Sequence, residues 1–157
     1  MTLTWCKLEG MTGHEAGRQL LKDAYRAHTG EELPELALGE WGKPYIPGSP
    51  WHFSISHTER HAFCAFGDRP MGVDAEEPDR NINLRLADKI LSPSERARFD
   101  AAPDKRLALL KLWVLKEAAA KLTGRGLHSY PNHTDFCPDD PRVTLIDGCL
   151  VALLTEE

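Results

Sequence analysis

Two charged residues, Glu117 and Lys121, lie on the apolar side of a predicted helix. At about 100° per residue, Glu117 falls between Trp113 and Val114, and Lys121 follows one turn later on the same stripe. An i,i+4 Glu–Lys pair is common on solvent-facing helix surfaces, where it contributes only about 0.2–0.5 kcal/mol. An inward-facing charge is costly unless it is paired or coordinated. The position within the apolar stripe therefore favours a functional site.

Two further carboxylates, Asp74 and Glu76, have the spacing of neighbours on one face of a β-strand. Side chains alternate along a strand, so residues two apart lie about 6.6 Å from each other on the same face. Both can then contact one cation, and an oxygen-only ligand set favours Mg²⁺ or Mn²⁺ over zinc. A solvent-exposed strand face is the alternative explanation. With Glu117 as a third ligand and Lys121 beside it, these residues indicate a metal–phosphate site between a strand and a helix.

Ser56 and His57 end the segment FSISH, a predicted strand. A hydroxyl, an imidazole and the backbone N–H groups of a strand end can hold an anion. Adjacent strand residues point to opposite faces, so this pair does not form a hydrolase dyad, and the sequence has no GxSxG motif. The other histidines show no ligand spacing, and we expect them to be surface or structural residues: His14, His28, His52, His61, His128 and His133.

The composition is that of one globular domain. The chain has 157 residues, 41% of them hydrophobic and 27% charged, which is enough for an ordinary core. No apolar run reaches the length of a membrane span, and the first residues lack the basic and apolar regions of a signal peptide. The four cysteines have no CxxC spacing, which favours reduced, buried thiols. We therefore expect a cytoplasmic protein without a membrane partner.

Positive charge is concentrated in one part of the chain. The formal net charge is −5, yet residues 85–125 contain ten Lys or Arg against five Asp or Glu. Because an acidic protein with one basic segment lacks the broad basic face of a nucleic-acid-binding protein, we expect no nucleic-acid partner. The segment could hold a phosphate-rich small molecule or dock an acidic partner. A solvated helix face with a chance excess of lysine explains it equally well.

The helices and strands that position these residues are predicted from the spacing of apolar residues and from turn residues. One helix is predicted from residue 13 to Gly30 and another from Asp104 to Gly124, each ending at a glycine cap. A Ser-Pro-Ser-Glu signal starts a further helix between them. The segments HFSISH, HAFCAF and MGVDAE are predicted to form an antiparallel meander, and the tail is predicted to form two strands joined by an Asp-Gly turn.

Four motifs occur in a fixed order along the chain: WGKP at 41–44, FSISHT at 53–58, GVDAEE at 72–77 and LWVLKEAAAKLTGRGL at 112–127. In this order, and with these gaps, they resemble the motifs of the 4′-phosphopantetheinyl transferases of the Sfp type. The resemblance covers roughly residues 40–127. Four motifs in register are much more specific than SISH or KEA alone.

The resemblance implies an enzyme of the holo-[acyl-carrier-protein] synthase type. Such an enzyme transfers 4′-phosphopantetheine from coenzyme A to a serine of an apo acyl or peptidyl carrier protein and releases adenosine 3′,5′-bisphosphate. The resemblance implies Asp74, Glu76 and Glu117 as ligands of Mg²⁺ on the pyrophosphate, with Mn²⁺ as the alternative metal. Glu117 is also the candidate base for the carrier serine, unless it acts only as a metal ligand.

The resemblance also implies six residues for coenzyme A binding: Lys43, Pro44, Ser56, His57, Lys116 and Lys121. Lys121 would neutralise the pyrophosphate, with Lys116 near it. Lys43, Ser56 and His57 would hold the 3′-phosphate, and the proline would lie near the adenine. The first helix offers candidates for further phosphate contacts, none of them singled out: Arg18, Lys22 and Arg26.

The implied fold is α+β, with two similar halves that pack as an intramolecular pseudo-dimer. Each half would have antiparallel strands and a long helix, and the halves would cover about 1–78 and 79–157 of a single domain. Coenzyme A and the metal would lie between them, in a monomer. The segment Arg96–Lys111 is the candidate docking surface for an acidic carrier protein. Two other functions would use the same residues: a Mg²⁺-dependent pyrophosphohydrolase acting on coenzyme A or a nucleotide, and a non-catalytic module that binds coenzyme A or a carrier protein.

Overall fold

The computed structural model describes residues 1–126 and 133–157, so Leu127 and His128 of the sequence analysis lie outside the described residues. The strands are β1 (Thr2–Lys7), β2 (Ala37–Leu38), β3 (Pro44–Tyr45), β4 (His52–His57), β5 (His61–Gly67), β6 (Met71–Glu76), β7 (Val143–Ile146) and β8 (Cys149–Thr155). The helices are α1 (Gly13–Thr29), α2 (Ala87–Ile90), α3 (Pro93–Ala101) and α4 (Lys105–Thr123), with a 3₁₀ turn at Leu84–Leu86. Within these ranges, no helix has both the length and the apolar character needed to cross a lipid bilayer.

The two long helices begin and end where the sequence predicts. At the start of α1, the Thr12 hydroxyl accepts the Glu15 N–H, and the Glu15 carboxylate accepts the Thr12 N–H in return. Helix α4 begins after Asp104, whose carboxylate accepts a backbone N–H of the first turn at 3.0 Å. The helices end at Gly30 and Gly124, whose φ angles of 75° and 74° lie in the left-handed region that favours glycine.

Two three-stranded antiparallel sheets form the centre of the fold. Strand β5 pairs with β1 on one edge and with β4 on the other, and β8 pairs with β6 and β7 in the same way. The predicted meander is therefore correct for β4 and β5 and wrong for β6. Because both edges of β5 are already hydrogen-bonded, the chain passes through residues 68–70 into a second sheet, where β6 pairs with β8.

The two sheets share one connectivity. In each sheet the first strand is followed by a long helix and then by a β-hairpin. The second strand of that hairpin pairs with the first strand of the sheet. The elements are β1, α1, β4 and β5 in one sheet and β6, α4, β7 and β8 in the other. Helix α1 packs on β4 and β5, and α4 packs on β6 and β8. The structure thus confirms a mixed α/β protein with antiparallel sheets and a long helix on each.

Two serine hydroxyls connect the sheets where β4 meets β6. The buried Ser54 Oγ accepts the Val73 N–H at 3.0 Å, and the buried Ser56 Oγ accepts the Ala75 N–H at 3.1 Å. These bonds satisfy backbone donors on the edge of β6 that faces β4. The register between β4 and β6 is therefore fixed by side chains rather than by a backbone ladder.

The apolar core continues from one sheet into the other. Phe63 and Ala65 of β5, Val73 of β6 and Val151 of β8 belong to one cluster of side chains, each at most 1% exposed. Fully burying a side chain such as Phe or Val contributes about 1.5–3 kcal/mol. The shared core therefore holds the two sheets in one relative position, together with the residues between them.

Helix α4 crosses β6 at Gly72. A Cβ atom there would lie 2.0 Å from the Ala118 carbonyl oxygen and 2.5 Å from the Leu122 nitrogen, both backbone atoms. Only glycine therefore permits this close approach. The approach sets Asp74, two residues further along β6, against Lys121 of α4.

Candidate active site

A cavity of about 460 Å³ opens between α1, β4 and the second half of α4. Its wall includes five residues that the sequence predicts for the site: Lys43, Pro44, His57, Glu117 and Lys121. They come from three of the four sequence motifs, which are far apart along the chain. The fold therefore brings half of the eight predicted polar site residues together on the wall of one cavity.

The cavity is more basic than the protein as a whole. Its charged side chains are Arg18, Lys43 and Lys121 against Glu117, whereas the whole chain has a formal net charge of −5. A cleft lined by one sign of charge concentrates ions of the opposite sign. An anionic ligand with several phosphate groups therefore suits this cavity.

Asp74 is buried beside the cavity. Its Oδ1 atom accepts hydrogen bonds from Lys121 Nζ at 3.0 Å and from Ser56 Oγ at 3.2 Å. Its Oδ2 atom is buried, and within residues 1–126 and 133–157 no group donates to it. Burial raises the pKa of Asp74 above its ordinary value, although the charge of Lys121 acts in the opposite direction. A buried carboxylate oxygen without a donor is the kind of atom that a metal cation binds.

Lys121 is held at the cavity wall by two bonds. Besides Asp74, its Nζ donates to the Ile55 carbonyl oxygen at 3.2 Å, so the side chain joins α4 to both β4 and β6. An ammonium group has three donors, of which these bonds use two. The charge is therefore fixed in place next to any anion that enters the cavity.

Glu117 lies one helical turn before Lys121 on the cavity wall and is half-buried. The prediction that it shares the inward-facing stripe of α4 is confirmed, because Val114 is fully buried and Trp113 is half-buried. At this position the stripe meets the cavity instead of the apolar core. A carboxylate can occupy it without the full cost of burial.

Glu76 ends β6 and is held by two donors. Trp113 Nε1 donates to its Oε1 atom at 3.2 Å, and Arg80 forms an ion pair with the same oxygen. Burial raises the pKa of Glu76, and the charge of Arg80 opposes this effect. The carboxylate lines a second groove, of about 700 Å³, to which His57 also contributes. His57 therefore borders both the cavity and the groove that holds Glu76.

The three predicted carboxylate ligands are not gathered around one point. In the described ranges, the group of three possible ligand side chains whose atoms lie within 4.8 Å of one another is a different one: His61, Glu77 and Cys149. Asp74 and Glu76 each bond a cationic side chain instead. Joint contact of both carboxylates with one cation therefore requires that the side chains move closer together, while Asp74 can offer Oδ2 and keep its bond to Lys121 on Oδ1.

Ser56 has a different environment from the one predicted. It is buried, donates to Asp74 and accepts the Ala75 N–H, and it is not among the residues that line the cavity. Its hydroxyl therefore orients a carboxylate rather than a phosphate. The physical reason is strand alternation, which turns Ser56 towards β6 and leaves its neighbour His57 on the cavity wall.

Lys116 also lies away from the cavity. Its side chain is fully buried, and Nζ lies 2.7 Å from Glu95 Oε1 and 2.5 Å from Thr134 Oγ1. Successive helix residues are about 100° apart, so Lys116 and Glu117 face different surroundings. The expectation that Lys116 lies near the pyrophosphate is therefore corrected: this lysine pairs with α3.

Lys43 and His57 reach the cavity wall next to two glycines. Lys43 Nζ donates to the Met71 carbonyl oxygen at 3.1 Å, its stem packs on Gly124, and burial lowers its pKa. A Cβ atom at Gly13, the first residue of α1, would lie 2.3 Å from the His57 ring. The start of α1 therefore lies directly against His57, which no local sequence signal predicts.

The residues of the cavity wall that the sequence did not single out include His14, Arg18 and Trp41. His14 was expected to be a surface or structural residue, and Arg18 was one of three equal candidates. The two lie one turn apart on α1, so their i,i+4 spacing was the available signal. Trp41 is 60% exposed, and a tryptophan in a loop gives no sign of its neighbours.

Comparison with known proteins decides the family. A model of the 4′-phosphopantetheinyl transferase superfamily matches residues 70–150, just over half of the chain. The chain belongs to the 4′-phosphopantetheinyl transferase superfamily. The matched stretch includes β6 and α4, and with them four predicted residues of the site: Asp74, Glu76, Glu117 and Lys121.

Several bacterial members of the superfamily are similar to this chain. A 4′-phosphopantetheinyl transferase of Bacillus subtilis is 34% identical over 116 residues, which are 71% of this chain and 51% of that protein. The 4′-phosphopantetheinyl transferase AcpT of Escherichia coli (strain K12) is 37% identical over 114 residues, 69% and 56% of the two chains. The 4′-phosphopantetheinyl transferase Sfp of Bacillus subtilis (strain 168) is 37% identical over 91 residues, 56% and 40%. The chain thus spans about half the length of the curated relatives it matches.

Proposed function

We propose that this protein transfers 4′-phosphopantetheine from coenzyme A to a serine of an apo acyl or peptidyl carrier protein in a Mg²⁺-dependent reaction. One observation carries the proposal: beside a basic cavity, the buried Asp74 pairs with Lys121 and keeps one oxygen that no described residue donates to. A cation ligand next to a phosphate ligand is what a pyrophosphate group requires. The similar bacterial proteins, which are named 4′-phosphopantetheinyl transferases, support the same reaction.

Asp74, Glu76 and Glu117 are the proposed ligands of Mg²⁺, with Mn²⁺ as the alternative. The buried Asp74 Oδ2 and the all-carboxylate donor set fit a hard cation that prefers oxygen. When bound, such a cation withdraws charge from phosphoryl oxygens.

The basic residues of the cavity bind and orient coenzyme A in this proposal. Lys121, fixed by its bonds to two strands, takes the pyrophosphate. Lys43 and His57 take the 3′-phosphate, and Pro44 lies near the adenine. Arg18 adds a further cation from α1. The charge of the cavity wall thereby matches the charge of the substrate.

In the proposed step, the carrier serine oxygen attacks the phosphorus that bears the pantetheine arm, and the bond from that phosphorus to the bridging oxygen breaks. Adenosine 3′,5′-bisphosphate leaves with the bonding electron pair, and Lys121 offsets the charge that develops on it. The serine proton passes to Glu117, the carboxylate on the cavity wall, if Glu117 acts as the base.

We further propose that the two sheets with their helices are the halves of an intramolecular pseudo-dimer, about 1–78 and 79–157. The shared strand–helix–hairpin connectivity supports this division. Because α1 and β4 of one half and α4 of the other line the cavity, one chain supplies both sides of the site. A monomer is therefore sufficient, and sedimentation analysis tests whether the protein is one.

The segment Arg96–Lys111 is the proposed docking surface for an acidic carrier protein, and ion pairs offset part of its positive charge. Arg96 forms ion pairs with Asp88 and Asp100, and Arg98 forms one with Asp135. Exposed pairs of this kind reorganise at little cost, because solvent and salt screen the two charges from each other. Charge reversal at Arg98 should raise the KM for the carrier, and an unchanged KM would contradict docking at this segment.

Intact-protein mass spectrometry tests the proposed function. An apo acyl carrier protein is incubated with this protein, coenzyme A and Mg²⁺, and in parallel with EDTA or with the Glu117→Gln variant. We expect the carrier to gain the mass of phosphopantetheine only in the complete reaction. The exposed Glu35→Gln change is the matched control and should leave the gain intact.

The other outcomes separate the remaining functions. Cleavage of coenzyme A without a carrier would establish a pyrophosphohydrolase instead. Binding of coenzyme A without any turnover, with several carriers and with a folded protein, would establish a binding module. Transfer that survives EDTA would contradict the metal site but not the transferase.

A further inference from the structure

Outside the cavity, three side chains with metal-binding atoms meet at the ends of three strands. His61 begins β5, Glu77 directly follows β6, and Cys149 begins β8, so rigid elements hold all three. Each is buried, and their ligand atoms lie within 4.8 Å of one another. The proposed transfer reaction gives them no role, and the sequence had assigned His61 only a surface or structural place.

The distances between these atoms fit a tetrahedral ion. His61 Nδ1 lies 3.0 Å from Glu77 Oε1 and 3.8 Å from Cys149 Sγ. With bonds of about 2.0–2.1 Å to nitrogen and oxygen and about 2.3 Å to sulfur, tetrahedral zinc separates such atoms by about 3.3–3.6 Å. The His61 nitrogen therefore needs to move by only a fraction of an ångström relative to each of the other two ligand atoms, which lie within 4.8 Å of each other.

A second layer of hydrogen bonds orients the ligands. Asp147 Oδ2 lies 2.8 Å from His61 Nε2, which turns the other ring nitrogen, Nδ1, towards Glu77 and Cys149. Metal-binding histidines characteristically donate their second ring N–H to a carboxylate in this way. The Thr58 hydroxyl orients the Glu77 carboxylate by donating a hydrogen bond of 2.6 Å to its Oε1 atom.

We propose that His61, Glu77 and Cys149 bind a divalent cation of the Zn²⁺ class, with Asp147 as the residue that positions the imidazole. A nitrogen, a carboxylate oxygen and a sulfur together select zinc over magnesium. An adjacent cleft of about 690 Å³, whose wall includes His61 and Glu77, gives solvent access for a fourth ligand such as water. This site is separate from the all-oxygen ligands proposed for Mg²⁺.

The role of the site is structural. His61 belongs to the sheet of β1, β5 and β4, while Glu77 and Cys149 belong to the end of β6 and the start of β8. An ion bound by all three would therefore cross-link the two sheets at the edge of their shared core. Since the ion binds the folded chain, it stabilises the protein by an amount that rises with the logarithm of the free ion concentration above the Kd.

Cobalt substitution tests this proposal on the 157-residue chain. Co²⁺ is added to the chelator-treated protein, and absorption is recorded for the thiolate-to-cobalt charge-transfer band and the visible bands of tetrahedral Co²⁺. We expect one equivalent to bind with both signals and Zn²⁺ to displace it. Excess Mg²⁺ should not displace it. An absent charge-transfer band, or binding below one equivalent, would overturn the site.

Matched variants identify the ligands. Cys149→Ser should abolish the charge-transfer band, whereas Cys137→Ser, which changes an exposed cysteine elsewhere, should retain it. Asp147→Asn should keep the band and weaken binding by about 10- to 100-fold, as expected for a positioning residue. A band that persists in Cys149→Ser contradicts the proposal, and circular dichroism verifies that each variant is folded.

Nitrogen-15 NMR of the imidazoles tests zinc binding by His61 without reference to activity. Zinc on Nδ1 of His61 must replace the proton there, while Nε2 keeps the proton that it shares with Asp147. A His61 ring that stays protonated on both nitrogens in saturating Zn²⁺ would overturn the proposal. Asp74→Asn should leave this spectrum unchanged, so failure of the magnesium site and failure of this site remain distinguishable.

Discussion

Helix α4 carries two lysines that pair with buried carboxylates, Lys116 with Glu95 and Lys121 with Asp74, and the two pairs are bonded very differently. Each carboxylate oxygen of Glu95 accepts two hydrogen bonds. Four donors bond Glu95: the N–H groups of Ser92 and Phe136, the Thr134 hydroxyl and the Lys116 ammonium. Asp74 accepts bonds on Oδ1 alone, and in the part of the chain that the structure describes nothing donates to Oδ2.

The difference in bonding changes the direction of the pKa shift. Burial by itself raises the pKa of a carboxyl group, and for Asp74 the net shift is upward. For Glu95 the hydrogen bonds, above all from Lys116, outweigh burial and lower the pKa below its ordinary value. The Glu95 pair is therefore a completed structural ion pair, whereas the Asp74 pair keeps binding capacity for a ligand.

The largest expected effect is on stability and comes from breaking the completed pair. Lys116→Met should lower the free energy of unfolding by about 3–5 kcal/mol, because Glu95 would remain buried without its cation. Lys121→Met should cost less, on the order of 1 kcal/mol, since 32% of the Lys121 side chain is exposed and solvent screens the pair. Urea unfolding measures both. Equal losses in the two variants would contradict the comparison.

The second effect is on activity, for which Lys121 should matter more than Lys116. Given the proposed reaction, Lys121→Met should lower kcat/KM by about 10²–10³-fold, the usual consequence of removing one group that stabilises developing charge. Arg69→Met is the control: it removes an exposed cation between β5 and β6, outside the cavity and outside the segment Arg96–Lys111, and should leave the rate within a factor of about 2. Initial rates of carrier modification measure this. A Lys121→Met enzyme with the normal rate would remove Lys121 from the site.

A third effect is the pH dependence of the stability that the Glu95 pair contributes. The lowered pKa of Glu95 means that its contribution to stability is present above the ordinary value of 4.5 and is lost as pH falls through the folded-state value. The stability difference between wild type and Glu95→Gln should therefore shrink as the pH is lowered from about 7 to about 3. Urea unfolding across this range measures it, with the exposed Glu35→Gln as control. A difference that grows towards acid would contradict the pairing.

Local signals predicted more of this molecule than long-range ones. The glycines at 30 and 124 correctly predicted where both long helices end, because a helix end depends on residues within one turn. The apolar stripe of α4 correctly marked Glu117 and Lys121 as inward-facing. The family resemblance was also correct, since motifs in a fixed order are a property of the sequence alone.

What sequence could not supply was the choice of partner between distant segments. Strand β1 escaped prediction because it is an edge strand whose side chains are mostly exposed, so its alternation is weak. The sequence singled out Lys121 by its place on the apolar stripe, and the family resemblance placed Lys116 near it. Their separation depends on Glu95 reaching α4 from α3, a contact that no spacing along the chain encodes. The same holds for His14, which reaches the cavity only through the packing of α1 on β4.

The smallest expected effect uses two serines of β4 that differ in one bond. Ser54 and Ser56 each accept a β6 N–H, from Val73 and Ala75, but only Ser56 also donates to Asp74. Ser54→Ala should cost about 1 kcal/mol of unfolding free energy, the typical net value of one hydrogen bond, and Ser56→Ala should cost more, because it also removes the bond to Asp74. Only Ser56→Ala should also weaken Mg²⁺-dependent activity, because Asp74 would lose the hydroxyl that orients it. Equal activity in the two variants would show that the Ser56 hydroxyl serves the sheet contact alone.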